Sequence, residues 1–170
     1  MGREVRKVPE DWQHPRDKKG NYIPLMGGSY AKRAAEWDEE YAQWEKGFRK
    51  SYGDGPKWVP KEGDEIGMHF SEWSGDRPSP TDFMPDWPEE QRTHLMMYED
   101  TSEGTPLSPA FKTPEELARW LADNKASSFG GSTATYEQWL ATCRDGFAVG
   151  LVYDNQRGLR SGVEFSSENH

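Results

Sequence analysis

The sequence predicts an α+β domain with a small, mostly antiparallel sheet, about three helices and long irregular loops rich in Pro and Trp. Three observations predict it. Trp37, Tyr41, Trp44 and Phe48 fall at i, i+4, i+7 and i+11, the spacing of one helix face. Two capping boxes, Thr113 with Glu116 and Thr135 with Gln138, each open an amphipathic run. Two short runs, residues 93–98 (THLMMY) and 147–153 (FAVGLVY), read as strands bounded by turn residues.

In chain order, residues 1–28 are polar and turn-rich. Val5, Val8, Trp12, Tyr22, Ile23 and Leu25 are spaced as anchors for an extended arm lying on a core. A single α+β domain is expected over 29–165 and a flexible tail over 166–170. Ser29 suits the N-cap of a first helix over 30–50. Residues 51–63 hold three Gly and two Pro, which break regular structure. A short strand is expected at 64–70, then a Pro/Trp-rich excursion over 71–93. After the strand at 93–98 and a polar turn, Pro114 takes the first position of the second helix. Leu117, Trp120 and Leu121 form its apolar face. In the third helix Tyr136, Trp139, Leu140 and Cys143 face inward, and Gly146 ends it. The strand at 147–153 follows, and an edge strand is expected at 162–165.

Composition narrows the function. The chain carries 21 basic and 30 acidic residues, a net charge of −9. Residues 62–116 concentrate that charge, with fourteen acidic side chains against Arg77, Arg92 and Lys112. The same stretch holds Phe70, Trp73, Phe83 and Trp87, so it has apolar area to bury and is expected to be ordered. An acidic, aromatic surface suits recognition of a basic partner and argues against direct nucleic-acid binding, which needs phosphate neutralisation. Residues 1–20 are mildly basic and suit packing on the acidic middle, within the chain or in a second copy, so a homo-oligomer stays open. One cysteine allows no internal disulfide. No stretch approaches the ~20 apolar residues of a membrane span. The N-terminus has no apolar signal core. A cytoplasmic protein without membrane contact is expected.

Few residues suggest chemistry. His14, His69, His94 and His170 are scattered, and no Cys pair exists for zinc, so neither metal nor cofactor is expected. Cys143 sits on an inner helix face, where burial makes a thiol inert. There is neither a Gly-x-Ser-x-Gly elbow nor a phosphate loop. Two segments stand out. In residues 71–87, Trp73, Phe83 and Trp87 offer stacking faces, Arg77 a donor fork, and Asp76 an acceptor. That set suits an aromatic, phosphate-bearing ligand. In residues 98–111, Thr101, Ser102, Glu103 and Thr105 surround a Gly-Thr-Pro turn suited to a pocket or a partner. Arg92 lies between the two segments and completes the candidate surface.

The phrases SEWSGDRP, FMPDWPEEQRTH, MYEDTSEGTPLSP, TPEELARWLADN and TATYEQWLATC, with VRKVPEDWQHP near the start, resemble a poorly characterised family of small proteins of phages, prophages and bacteria. The resemblance implies a phage-linked setting and no particular activity. The expected function is a non-catalytic binding protein: a counter-defence factor that blocks a host protein through its acidic-aromatic surface, or one that sequesters a nucleotide-type signal. Two alternatives stand beside it. One is a metal-dependent enzyme acting on a nucleotide or nucleic acid through Asp76, Asp82, Glu99 and Asp100. The other is a phage assembly component.

Overall fold

The computed structural model describes residues 2–100, 104–155 and 158–166. Of the tail expected at 166–170, residues 167–170 lie outside them, whereas Ser166 is helical. In chain order the elements are β1 (Arg3–Val8), α1 (Tyr30–Glu45), β2 (Phe48–Ser51), β3 (Lys57–Pro60), α2 (Phe70–Ser74), β4 (His94–Glu99), β5 (Thr105–Pro106), α3 (Pro114–Asp123), α4 (Tyr136–Asp145), β6 (Phe147–Ala148), β7 (Leu151–Asp154), β8 (Gly158–Ser161) and α5 (Gly162–Ser166). The protein is α+β, and every pair of named strands is antiparallel. The chain divides into two compact units, Met1–Gly27 with Trp87–His170, and Gly28–Asp86.

The first unit is built on a four-stranded sheet in the order β5-β4-β1-β6. The segment expected as an extended arm therefore supplies an inner strand, paired on both sides. Its charges disguised it. Arg3 and Arg6 are buried, where arginine is seldom found. Arg3 Nε donates to the Ser127 carbonyl at 2.8 Å, and its NH1 lies 3.5 Å from Glu99. Arg6 Nε donates to Glu4 at 2.8 Å and its NH1 to the Leu25 carbonyl at 2.8 Å. These partners offset the cost of taking both guanidinium groups out of water.

The pleat gives the sheet two different faces. Val5 and Met97 are register partners, as are Lys7 and Leu95. Met97 belongs to the core with Leu117, Ala118 and Leu121 of α3 and Trp139 and Cys143 of α4; Val5 and Leu95 pack against it. Both capping boxes form: Thr113 accepts from Glu116 N, Thr135 from Gln138 N, and each partner side chain reaches back. Gly146 ends α4 in the left-handed conformation. The other face carries Glu4, Arg6, Val8, Met96 and Tyr98, and the loop that follows β1 covers it: its His14 bonds to the Ile23 carbonyl and to the Tyr98 hydroxyl, and its Leu25 carbonyl takes Arg6.

Two local expectations change after α4. The run 147–153 is two strands: β6 pairs with β1, whereas β7 pairs with β8. Gly150 separates them, and Val149 stays 47% exposed rather than entering a core. The expected edge strand at 162–165 is α5. Ser161 and Glu164 cap it reciprocally, Ser161 N to Glu164 Oε2 at 2.9 Å and Glu164 N to Ser161 Oγ at 3.2 Å. A Cβ on Gly162 would collide with the Val149 carbonyl, so the junction of β8 and α5 needs glycine.

The second unit is a helix, a hairpin and a ring cluster. Ser29 caps α1 as expected. The helix stops at Glu45, because Gly47 takes a φ of 92° and turns the chain back. Phe48 leaves the helical stripe and opens the β2–β3 hairpin, so residues 48–50, expected to be helical, lie in β2, and β3 falls within 51–63, expected to lack regular structure. The short strand expected at 64–70 does not form: Gly63–Gly67 is a 3-10 turn, and Phe70 opens α2. Trp44 and Phe70 are buried at the centre, with Trp37, Tyr41 and Trp73 around them. Such ring contacts add about 0.5–1.5 kcal/mol each beyond burial.

The first unit's stability should depend on the α3 contribution to its core. Leu121 is fully buried, so Leu121→Ala should cost about 2–5 kcal/mol. Urea unfolding followed by circular dichroism measures it; a loss below 1 kcal/mol would mean that α3 does not carry the core.

Candidate functional site

The loop covering the second face of the sheet is irregular, so it leaves space that a helix would fill. A cleft of about 560 Å³ opens there, lined by Trp12, His14, Tyr22, Met96, the segment 106–110 and Trp120. Tyr98 fixes its inner wall. Trp12 Nε1 donates to the Tyr98 hydroxyl at 3.1 Å. His14 Nε2 lies 2.7 Å from the Ile23 carbonyl, which only accepts, so Nε2 carries the proton. His14 Nδ1 is then an acceptor, and the Tyr98 hydroxyl donates to it across 3.0 Å. Arg6 lies over the Tyr98 ring at 4.4 Å. Every polar atom of this group has a defined role.

Burial and the neighbouring Arg6 and Arg16 cations push the His14 imidazole below its ordinary value; the bond to Ile23 opposes them. Burial likewise holds the Tyr98 phenol above its ordinary range. His14 is therefore neutral, and both nitrogens are engaged. It orients Tyr98 and through it the Trp12 indole. Trp87 meets Trp12 edge to face, with centroids 4.7 Å apart. At the outer rim the Arg16 guanidinium lies 3.7 Å over the Tyr22 ring and donates to the Gly20 carbonyl at 2.6 Å. Ser108 is buried; its Oγ accepts from Met97 N at 2.9 Å and donates to the Pro109 carbonyl at 2.9 Å. That anchors the segment 106–110 as the opposite wall.

The residues expected to bind a ligand occupy varied places. Trp87 backs the cleft through Trp12. Thr105 pairs with Glu99 in β5 and does not line the cleft. Arg92 holds a turn together, Nε to the Trp87 carbonyl at 2.7 Å. Thr101, Ser102 and Glu103 lie outside the described residues. Trp73, Asp76, Arg77 and Phe83 belong to the second unit. Trp73 is 45% exposed, stacks on Trp44 at 5.6 Å and 28°, and has the Arg49 guanidinium over its ring at 6.0 Å. Asp76 is exposed. Phe83 is buried and meets Tyr30 edge to face, so it offers no stacking surface. Arg77 spends its fork inside the unit: Nε and NH2 on the two Asp38 oxygens at 2.8 Å each, NH1 on the Tyr30 hydroxyl at 3.0 Å. Asp38 and Tyr30 hold its pKa above the ordinary value, and Asp38 is held correspondingly low. Arg77 is a clamp between α1 and the 71–86 segment.

Sequence reasoning passed over His14 because one histidine in a polar segment carries no pattern. The signal was present as Trp12, His14 and Tyr22 close together in a stretch already marked as anchored. Among the described residues no group of three or more His, Cys, Asp or Glu side chains could hold a metal ion. His69 and Glu72, three apart, cap α2: His69 N donates to Glu72 Oε2 at 2.8 Å. Nor is any described helix long and apolar enough to cross a membrane. No protein-family model, curated protein or solved structure matches the chain.

Two expectations follow. Below about pH 6.5 the unfolded chain gains a proton at His14 that the native protein refuses, so native stability falls as pH drops from that value. Urea midpoints should be lower at pH 5.5 than at 7.5, and His14→Gln should shrink the difference; an unchanged difference would place the dependence elsewhere. Burial, aided by Glu115, pushes the Cys143 thiol up to about 12. Ellman's reagent at pH 8 should therefore leave the native protein untouched and label one thiol after denaturation.

Proposed function

We propose that this chain is a non-catalytic recognition protein that holds a host protein in the cleft around His14, as a counter-defence factor in the cytoplasm of a phage-infected cell. One observation carries the reading: an aromatic-walled cleft whose inner groups are all hydrogen-bonded and whose only imidazole is neutral and committed on both nitrogens. Such a site is preorganised for contact, and its imidazole has no free nitrogen with which to act as a base. Further support comes from Cys143, whose buried thiol is unsuited to attack. The net charge of −9 favours encounter with a basic partner through long-range steering. The phage-linked setting rests on the resemblance of the sequence phrases.

Affinity capture from host lysate tests the reading. The wild-type protein should recover a host protein, and Trp12→Ala should reduce recovery about tenfold, the effect of a truncated aromatic hot spot. Circular dichroism controls for folding, with Trp120→Phe as a milder second variant. Recovery of no host protein, or capture equal in the wild type and both variants, would overturn the assignment.

A further inference from the structure

The run 147–153 has the alternation of a half-buried strand, with Phe147, Val149, Leu151 and Tyr153 at every second position. In an antiparallel sheet such positions face the core. Here all four are exposed. Beyond Gly150 the stripe continues on β7, which pairs with β8 in a two-stranded sheet. Leu159 is the register partner of Tyr153, so it shares a face with Tyr153 and Leu151. Tyr153 is 70% exposed and Leu159 68%. The hairpin thus turns its apolar face to solvent. We propose that this face is a self-association surface, on which the β7–β8 hairpin of a second copy packs face to face across a two-fold axis. The surface shares no residue with the cleft around His14 and does not depend on what that cleft holds.

A two-stranded sheet is marginal in water unless another layer covers its apolar face. The reverse face of this hairpin is already engaged. Val152 and Arg160 are register partners there and both are half-buried, and Arg160 donates to the Glu164 carbonyl of α5 at 3.2 Å. The face of Leu151, Tyr153 and Leu159 is the one left for a second layer.

Charge selects a second copy as that layer. Phe147, Val149, Leu151, Tyr153 and Leu159 carry none, whereas the chain has a net charge of −9. Two copies therefore repel one another at long range, and a two-fold contact sets each group near its own like. An uncharged face is where two such chains meet at the lowest electrostatic cost. An anionic lipid surface would repel the same net charge. A partner chosen by charge would find nothing on these side chains to read.

Shape and area agree with this occupant. Tyr153 and Leu159 stand side by side, so a two-fold rotation lays the ring of one copy on the leucine of the other, and the reverse. The five side chains expose about 500 Å² together, so two copies remove about 1,000 Å² from water, the lower limit of a specific interface. That area predicts a reversible dimer with a micromolar Kd. The N-terminal arginines, which suited packing on the acidic middle of another copy, are spent within the chain: Arg3 on Ser127, Arg6 on Glu4 and Leu25, Arg16 on Gly20 and the Tyr22 ring. Apolar contact is then the driving force, and salt does not screen it.

Sedimentation equilibrium of the full chain, from about 1 to 200 µM, tests this. The apparent mass should rise from that of one chain towards that of two, and raising NaCl from about 50 to 500 mM should not reverse the rise. Leu159→Glu brings two carboxylates together across the axis and should weaken association at least about tenfold. Tyr153→Ala, a milder change, should weaken it about fivefold. Both positions are exposed, and circular dichroism checks that each variant folds. Ile66→Glu, the same added charge on an equally exposed residue of the second unit, should leave association unchanged. A wild type that stays monomeric throughout, or a dimer indifferent to both hairpin substitutions, would overturn the assignment. So would a dimer that salt dissociates, or one that Ile66→Glu weakens as much as Leu159→Glu does.

Discussion

The first unit's loop face depends on the Tyr98 hydroxyl. A four-stranded sheet needs cover on both faces, and this chain spends α3 and α4 on one of them. The other face is covered by a loop without regular structure, which cannot bond to itself as a helix does. It must be tied down group by group. The Tyr98 oxygen, fully buried, receives Trp12 and gives its proton to His14. His14 passes its own proton to the Ile23 carbonyl. Three side chains and one carbonyl thus fix the loop at two places along its length. Because a loop pinned at points cannot close-pack everywhere, a cleft beside those points is the natural consequence.

A second tie sets the far end of the loop. Leu25 is buried, its N–H donates to the Gly104 carbonyl at 3.0 Å, and its carbonyl takes Arg6. A Cβ on Gly104 would run into the Leu25 carbonyl, and the residue has a φ of +54°. Glycine is required there by space and by backbone conformation together. The buried arginine and the glycine thus serve one purpose, which is to let an irregular segment satisfy its backbone against a strand. Among the described residues, the Trp139 indole N–H and the Ser128 hydroxyl are buried without a hydrogen-bond partner. Each such group costs about 1–3 kcal/mol, which core burial must outweigh.

Local signals in the sequence were legible where a motif acts over a few residues. The capping boxes at Thr113 and Thr135, the stop at Gly146, the Ser29 cap and the strand at His94–Glu99 all follow from neighbours within one turn. The Ser161–Glu164 box was equally local, and reading that stretch as an edge strand overlooked it. What stayed hidden depends on distant partners. β1 sets four charged residues among two valines and looks like a solvated arm until Glu99, Ser127 and Leu25 are known to meet its arginines. The two segments marked for binding were half informative. Residues 98–111 do supply a wall of the cleft, through Pro106–Ala110 rather than through Thr105. Of residues 71–87, Trp87 stiffens Trp12, but Arg77 is consumed by Asp38 and Tyr30. A side chain's chemistry can be read from its type; its availability cannot.

Availability is also what separates the rings of the two units as candidate contacts. In the second unit the aromatic side chains chiefly hold one another: Trp37 lies parallel on Tyr41 at 8°, and Trp44 and Phe70 are buried between their neighbours. Removing one ring there removes part of a small core. In the first unit Trp12 and Trp120 stand beside open space while their backs are supported, Trp12 by Trp87 and Tyr98, Trp120 by Phe111. A supported ring with one face to solvent loses little conformational freedom on meeting a partner, so more of the contact energy survives as affinity. By that criterion the proposed recognition surface belongs beside the least regular part of the first unit, where the chain supports its rings from behind and open space lies beside them.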